Sequence, residues 1–193
     1  MATFSVVIDA CVLYGNLLRD VLLRAAEKGL YRPVWSQHIV NEATAALVRD
    51  KRLSRAGAER LERLLREHFP EAWTSISPAL IEAMVALPDP DDRHVLAAAV
   101  RENAEVIVTF NLDDFPAAAT SQYGVEAQSP DDFLVNLFSL SPHDLVLIID
   151  EMVEDYDKPS YTRSELLEVL AKALPTFSKL LQRLTDAERP EES

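Results

Sequence analysis

Four acidic positions fall where strand-like segments give way to loops or helices. Asp9 closes the apolar run Phe4-Ser5-Val6-Val7-Ile8, and Glu42 lies on the helix expected after Pro33-Val34-Trp35. Asp92 sits within Pro88-Asp89-Pro90-Asp91-Asp92-Arg93-His94-Val95-Leu96, and Asp113 and Asp114 follow Val106-Ile107-Val108-Thr109. A lone carboxylate at the end of a buried strand is costly unless something neutralises it, and nothing basic lies near Asp9 in sequence. If four carboxylates converge, repulsion at about 5 Å costs on the order of 3 kcal/mol per pair at an effective dielectric near 20. A divalent cation removes that penalty, polarises a phosphate and lowers the pKa of its water. Oxygen donors favour Mg²⁺ or Mn²⁺ over zinc. His38, His68, His94 and His143 lack metal-ligand spacing and read as structural or surface residues.

Each acidic residue also has an ordinary explanation. Asp89 fits an N-cap ahead of Pro90. Asp91 and Asp92 could merely complement a helix dipole. Glu42 alone would be a solvated mid-helix residue, and Asp113 or Asp114 a cap for a short turn before Phe115-Pro116. Asp92 stands out because Val95 and Ala99 put its helix against the sheet, which leans the carboxylate toward the edge that holds Asp9. Asn111 offers a neutral oxygen of the kind hard cations accept.

The elements that must position these groups alternate. Residues 4–8 are a β-branched run suited to a strand buried on both faces. Residues 16–28 carry Leu17, Leu18, Val21, Leu22 and Ala25 at helical spacing, ended by Gly29. A weak strand over 31–35 leads through Ser36 as N-cap into a helix to about Arg49, and a second helix spans 54–68. A strand over 73–76, a helix over 95–103, a strong strand over 105–109 and a poor one over 125–128 follow. Ser77-Pro78, Ser129-Pro130 and Ser141-Pro142 repeat a cap-then-proline signal. This alternation predicts a three-layer α/β/α fold with a central parallel sheet, whose ligands bind at the carboxyl ends of the strands.

From about Ser141 the pattern becomes helical only. Residues 145–156 are mostly apolar before an acidic run, Thr162-Arg163-Ser164-Glu165 matches a capping box, and Phe177, Leu180, Leu181 and Leu184 form a last stripe. The expected division is an α/β domain over 1–138 and an all-helical appendage over 139–193, its polar end, 186–193, frayed.

Composition narrows the classes. With 193 residues and 48% hydrophobic content, the chain can bury one ordinary core. Its single cysteine, Cys11, excludes an intramolecular disulfide and reads as a small core residue. The amino terminus lacks a basic signal region, and no stretch reaches the ~20 apolar residues of a membrane span, so a cytoplasmic protein is expected. A net charge of -13 argues against broad nucleic-acid binding. The basic residues cluster, however: Arg49, Lys51, Arg52, Arg55, Arg60, Arg63 and Arg66 lie together. Arg49, Arg52 and Arg55 would share a face if one helix continued through them, and could grip phosphates; helical ion pairing is the competing explanation.

The set Val7-Ile8-Asp9, Asn41-Glu42-Ala43, the block from Asp89 through Ala99, and Val108-Thr109-Phe110-Asn111-Leu112-Asp113-Asp114-Phe115 resembles the PIN domain, in particular the VapC ribonuclease toxins of toxin-antitoxin pairs. The resemblance covers about residues 1–135 and implies a five-stranded parallel sheet. It implies Asp9, Glu42, Asp92 and Asp114 as catalytic residues, with Asp9, Asp92 and Asp114 holding Mg²⁺ (or Mn²⁺) and Thr109 and Asn111 lining the site. Asp113 and Asp91 stay open as alternatives to Asp114 and Asp92. The activity implied is metal-dependent endonucleolytic cleavage of RNA, such as tRNA, by a toxin paired with a cognate antitoxin and assembled as a homodimer. The alternative is a noncatalytic PIN scaffold serving as an interaction module. A phospho-acceptor signalling domain needs a lysine near the last strand, and residues 102–157 contain none.

Overall fold

A computed structural model describes residues 4–187 of the chain. Of the polar end expected to fray, only Asp186 and Ala187 fall among them, in the backbone of the last helix.

Five short strands make one parallel sheet in the order β3-β2-β1-β4-β5. They are β1 (Ser5–Ile8), β2 (Arg32–Ser36), β3 (Trp73–Thr74), β4 (Val106–Val108) and β5 (Glu126–Gln128). β1 and β4 are wholly buried, as strands covered on both faces should be, whereas β5 is an edge strand. Val6 pairs with both Pro33 and Val106, which sets β1 at the centre. The chain leaves β1 toward β2 and later returns past it to β4, so the strand order reverses between β1 and β4. Parallel α/β sheets open a crevice at such a reversal.

Local chemistry sets the helices. The short α1 (Ala10–Leu13), not anticipated from the sequence, starts where the Asp9 carboxylate accepts the Ala10 N–H. Then come α2 (Asn16–Glu27), α3 (Gln37–Arg49) and α4 (Arg55–His68). Gly29 turns at φ 74°, and Ser36 and Ser54 cap α3 and α4 as their sequences predict. α5 (Pro78–Ala83) is capped by Ser77, and α6 (Arg93–Glu102) follows an irregular loop. α7 (Ala117–Thr120) precedes β5. The run from His94 to Ala99 is buried throughout, and its three consecutive alanines let α6 pack across β1, β2, β3 and β4. Right-handed crossovers in opposite directions along the sheet place α2 and α6 on opposite faces, giving the three layers.

The remainder is α8 (Pro130–Leu140), α9 (Pro142–Asp155), α10 (Arg163–Leu170) and α11 (Pro175–Ala187). The capping box at Thr162 and Glu165 is formed, and Ser129 caps α8. Ser141, in contrast, makes no side-chain cap bond. α8 runs unbroken through position 138, where the domain division was expected, and its Phe133, Leu134 and Leu137 share one buried cluster with the sheet and with Leu145, Leu166 and Leu181 of the later helices. Among the described residues no single helix is long and apolar enough to cross a membrane; α8 and α9 meet that length only together, bent by 118°.

Candidate metal centre

Asp9 follows the last residue of β1 and is only 5% exposed. Both of its oxygens are engaged. Oδ1 accepts the Ala10 N–H at 2.6 Å, and Oδ2 accepts the Thr109 hydroxyl at 2.7 Å from across the β1/β4 crevice. Thr109 is fully buried just past β4, and its Oγ1 also accepts the Asn111 N–H at 3.0 Å. One hydroxyl therefore fixes both the Asp9 rotamer and the loop that carries Asn111, Asp113 and Asp114.

Cys11 is half-buried and packs against the core as expected, and it also touches the site. Its thiol donates to Asp9 Oδ2 at 3.1 Å and accepts the Phe110 N–H at 3.4 Å. Burial, then the Asp9 charge, push the thiol up to about 12, so it stays protonated and can donate.

Asp92 stands at the N-terminus of α6 but makes no cap bond, which leaves its carboxylate free. Its pKa is raised from 3.8 to about 6, first by burial and then by the charges of Asp9, Asp114 and Asp89. Asp9, Asp114 and Asp89 thus lie within electrostatic reach of Asp92, although among the described residues no three of these carboxylates stand within 4.8 Å of one another. Asp89 was expected to cap a helix beginning at Pro90; the helix begins only at Arg93, and Asp89 Oδ1 instead accepts the Asp91 N–H at 2.8 Å in a local turn. Asp91 and Asp113 are exposed, whereas Asp92 and Asp114 are half-buried. Asn111 is exposed at the head of the turn Leu112–Asp114.

Glu42 meets two histidines, one of which, His94, also acts on the Asp92 charge. Glu42 Oε2 lies 3.2 Å from His94 Nε2 and Oε1 3.6 Å from His38 Nε2, while the two imidazoles stack with centroids 3.9 Å apart. Neither histidine is the isolated residue its spacing suggested: β2 and α3 carry one to the other, which is borne on α6. The signal available in the sequence was the four-residue step from His38 to Glu42 on one helix face.

Arg49, Arg52 and Arg55 do not share one helical face. α3 stops at Arg49, the chain turns through Lys51 at φ 56°, and Arg55 opens α4. Arg52 stacks on the Tyr14 ring at 4.9 Å, and Arg49 pairs with Asp50 at 3.0 Å. The hairpin nonetheless brings Arg49 and Arg55 to one cleft of about 500 Å³, shared with Asn41, Thr44 and Glu59. Other clefts, such as one of about 400 Å³ between α2 and α4, lie away from the carboxylates.

The donor set at the crevice suits a hard divalent cation. It is all oxygen, and it places the charges of Asp9, Asp114 and Asp89 within reach of the half-buried Asp92.

Known proteins resemble this chain in two stretches. The chain is 44% identical over 99 residues to "Putative ribonuclease VapC50" of Mycobacterium tuberculosis (strain ATCC 25618 / H37Rv), a match covering 51% of this chain and 59% of that protein. Residues 130–183 match the family described as VapC50 C-terminal domain, which begins at α8. The PIN domain family matches residues 5–113, the stretch that runs from the first strand to the acidic turn beyond the fourth. That stretch is more than half of the sequence, and the chain belongs to the PIN domain family.

Proposed function

We propose that the protein is an Mg²⁺-dependent (or Mn²⁺-dependent) endoribonuclease of the VapC type, the toxin of a toxin-antitoxin pair. The observation that carries this reading is the buried Asp9 at the strand-order reversal, held by Thr109 from across it, with Asp92 and Asp114 within electrostatic reach. The name of the 44% identical relative, a ribonuclease, points the same way.

In this reading Asp9, Asp92 and Asp114 hold the cation, with Asp113 and Asp91 too exposed to be preferred. The bound cation supplies Lewis-acid polarisation of the scissile phosphate and offsets the carboxylate charge. Thr109 holds Asp9 in one rotamer through the 2.7 Å hydrogen bond, so one ligand is preorganised. Asn111 lines the mouth. Glu42 or Asp114 orients the attacking water and accepts its proton. The cleft with Arg49 and Arg55 lies on the helix that carries Glu42 and suits RNA phosphates, tRNA among them, whereas Arg52 is committed to Tyr14.

A cognate antitoxin is the expected protein partner. With a net charge of -13, the surface favours a basic segment, and the half-exposed Phe110 and Leu112 beside the crevice offer it an apolar foothold. A cytoplasmic homodimer, in which the helices after residue 138 stabilise the core, completes the reading.

The test is incubation of the purified chain with total RNA, with and without Mg²⁺, followed by mapping of cut ends. Asp9→Asn should lower cleavage by at least about 100-fold, the lower end of what a positioned catalytic group contributes. No cleavage by a folded chain would leave the noncatalytic scaffold as the better account, and cleavage without any divalent cation would overturn the metal role.

A further inference from the structure

Among the described residues, the place where three potential metal-donor side chains lie within 4.8 Å of one another is not the carboxylate crevice but His38, Glu42 and His94. His94 is 2% exposed, yet neither of its ring nitrogens makes a hydrogen bond. Glu42 Oε2 is 3.2 Å from Nε2 but off the N–H axis, so the contact is close without being a hydrogen bond.

The three donor groups are close enough to share a cation, and because the two rings stack with centroids 3.9 Å apart, the exposed His38 ring must turn out of the stack to aim its nitrogen at an ion held by His94 and Glu42. In a hydrogen bond the ring nitrogen points at the oxygen, whereas in a chelate nitrogen and oxygen both point at a shared ion beside the line between them. Tetrahedral ligands at 2.0–2.2 Å stand about 3.3–3.5 Å apart; His94 Nε2 is 3.2 Å from Glu42 Oε2 and His38 Nε2 is 3.6 Å from the other oxygen, Oε1, so both rings are near that spacing from the one carboxylate. Two imidazoles and one carboxylate are a borderline-soft set, accepted by zinc and poorly suited to Mg²⁺. His38 and Glu42, both exposed, leave the fourth position open to solvent.

We propose that His38, Glu42 and His94 form a second metal site, specific for Zn²⁺ or a similar transition cation, that ties α3 to α6. Because Glu42 is also a residue proposed to orient the attacking water, zinc here withholds it from that role and slows Mg²⁺-dependent cleavage. This effect on cleavage rests on the ribonuclease reading; zinc binding does not.

The test is calorimetric titration of the full chain with ZnCl₂ in metal-free buffer. One equivalent should bind, and long-range ¹H–¹⁵N spectra should show the Nε2 signals of both His38 and His94 shifting together. His38→Ala, an exposed change that spares the core, should weaken zinc binding by at least about tenfold, since losing even an outer partner of a ligand costs about 10–100-fold. Asp9→Asn should leave zinc binding intact. No zinc binding, equal affinity in His38→Ala, or loss in Asp9→Asn alone would each overturn the site. Zinc binding without any RNA cleavage would instead sink only the nuclease reading, and Mg²⁺-dependent cleavage without zinc binding only the second site.

Discussion

Asp92 gives the residue scale its clearest linkage. Its folded pKa, about 6, lies above the ordinary 3.8, so between these values the folded chain holds a proton that the unfolded chain has lost. Stability from this group is therefore present at low pH and falls as pH rises through about 6. In metal-free buffer Asp92→Asn should melt at a higher temperature than the parent protein at pH 8, with the difference shrinking below pH 6; melting curves at pH 8 and 5 check this. Mg²⁺ affinity should move oppositely, falling as pH drops through about 6, because proton and cation compete for one carboxylate. Thr109→Val removes a buried donor to Asp9 while keeping the side-chain shape. It should cost about 1–3 kcal/mol in chemical denaturation, the penalty for an acceptor left unsatisfied, and lower cleavage with it.

At the scale of elements, the caps decide where side chains point. Ser36 ends β2 and caps α3 by accepting the Ile39 N–H at 3.2 Å, so one residue sets the angle at which Glu42 leaves the sheet. Ser36→Ala should cost about 0.5–2 kcal/mol by denaturant titration and disturb the Glu42–His94 contact. A second cap acts over distance: the Asp131 carboxylate of α8 accepts the N–H groups of Thr176 at 3.0 Å and Phe177 at 2.9 Å, at the start of α11. Asp131→Ala should destabilise the protein by about 1–2 kcal/mol, with hydrogen exchange rising first in α11. At the end of α2, Arg24 and Lys28 meet Asp155 and Glu151 of α9 at 2.8 and 2.6 Å, so the acidic run of α9 has cationic partners on α2. These are partly exposed pairs, each worth at most about 1 kcal/mol and screened by salt.

For the molecule as a whole, the helices after the sheet complete the core. Phe133, Leu134, Leu145, Ile149, Leu170 and Phe177 are buried in the same cluster as β1 and β4. A chain ending at residue 138 would expose the inner face of α8, so it should be recovered as aggregate or bind a hydrophobic dye, whereas the full chain should not. Hydropathy periods, caps and proline signals made β1, α2, α3, α4 and the capping box legible in advance, because each depends on neighbours within a few residues. The carboxylates were legible one by one for the same reason: each sits at a strand or helix end that local pattern marks. Their grouping was not, since Asp9 meets Thr109 across 100 positions and Asp89 joins Asp92 only because α6 starts three residues later than its proline suggested. The sequence by itself determined the alternating elements and the acidic residues at their ends. Only the tertiary structure decided which charges share a field and that Glu42 faces two histidines, because electrostatic coupling and chelation depend on distance in space, set here by the order in which the strands cross.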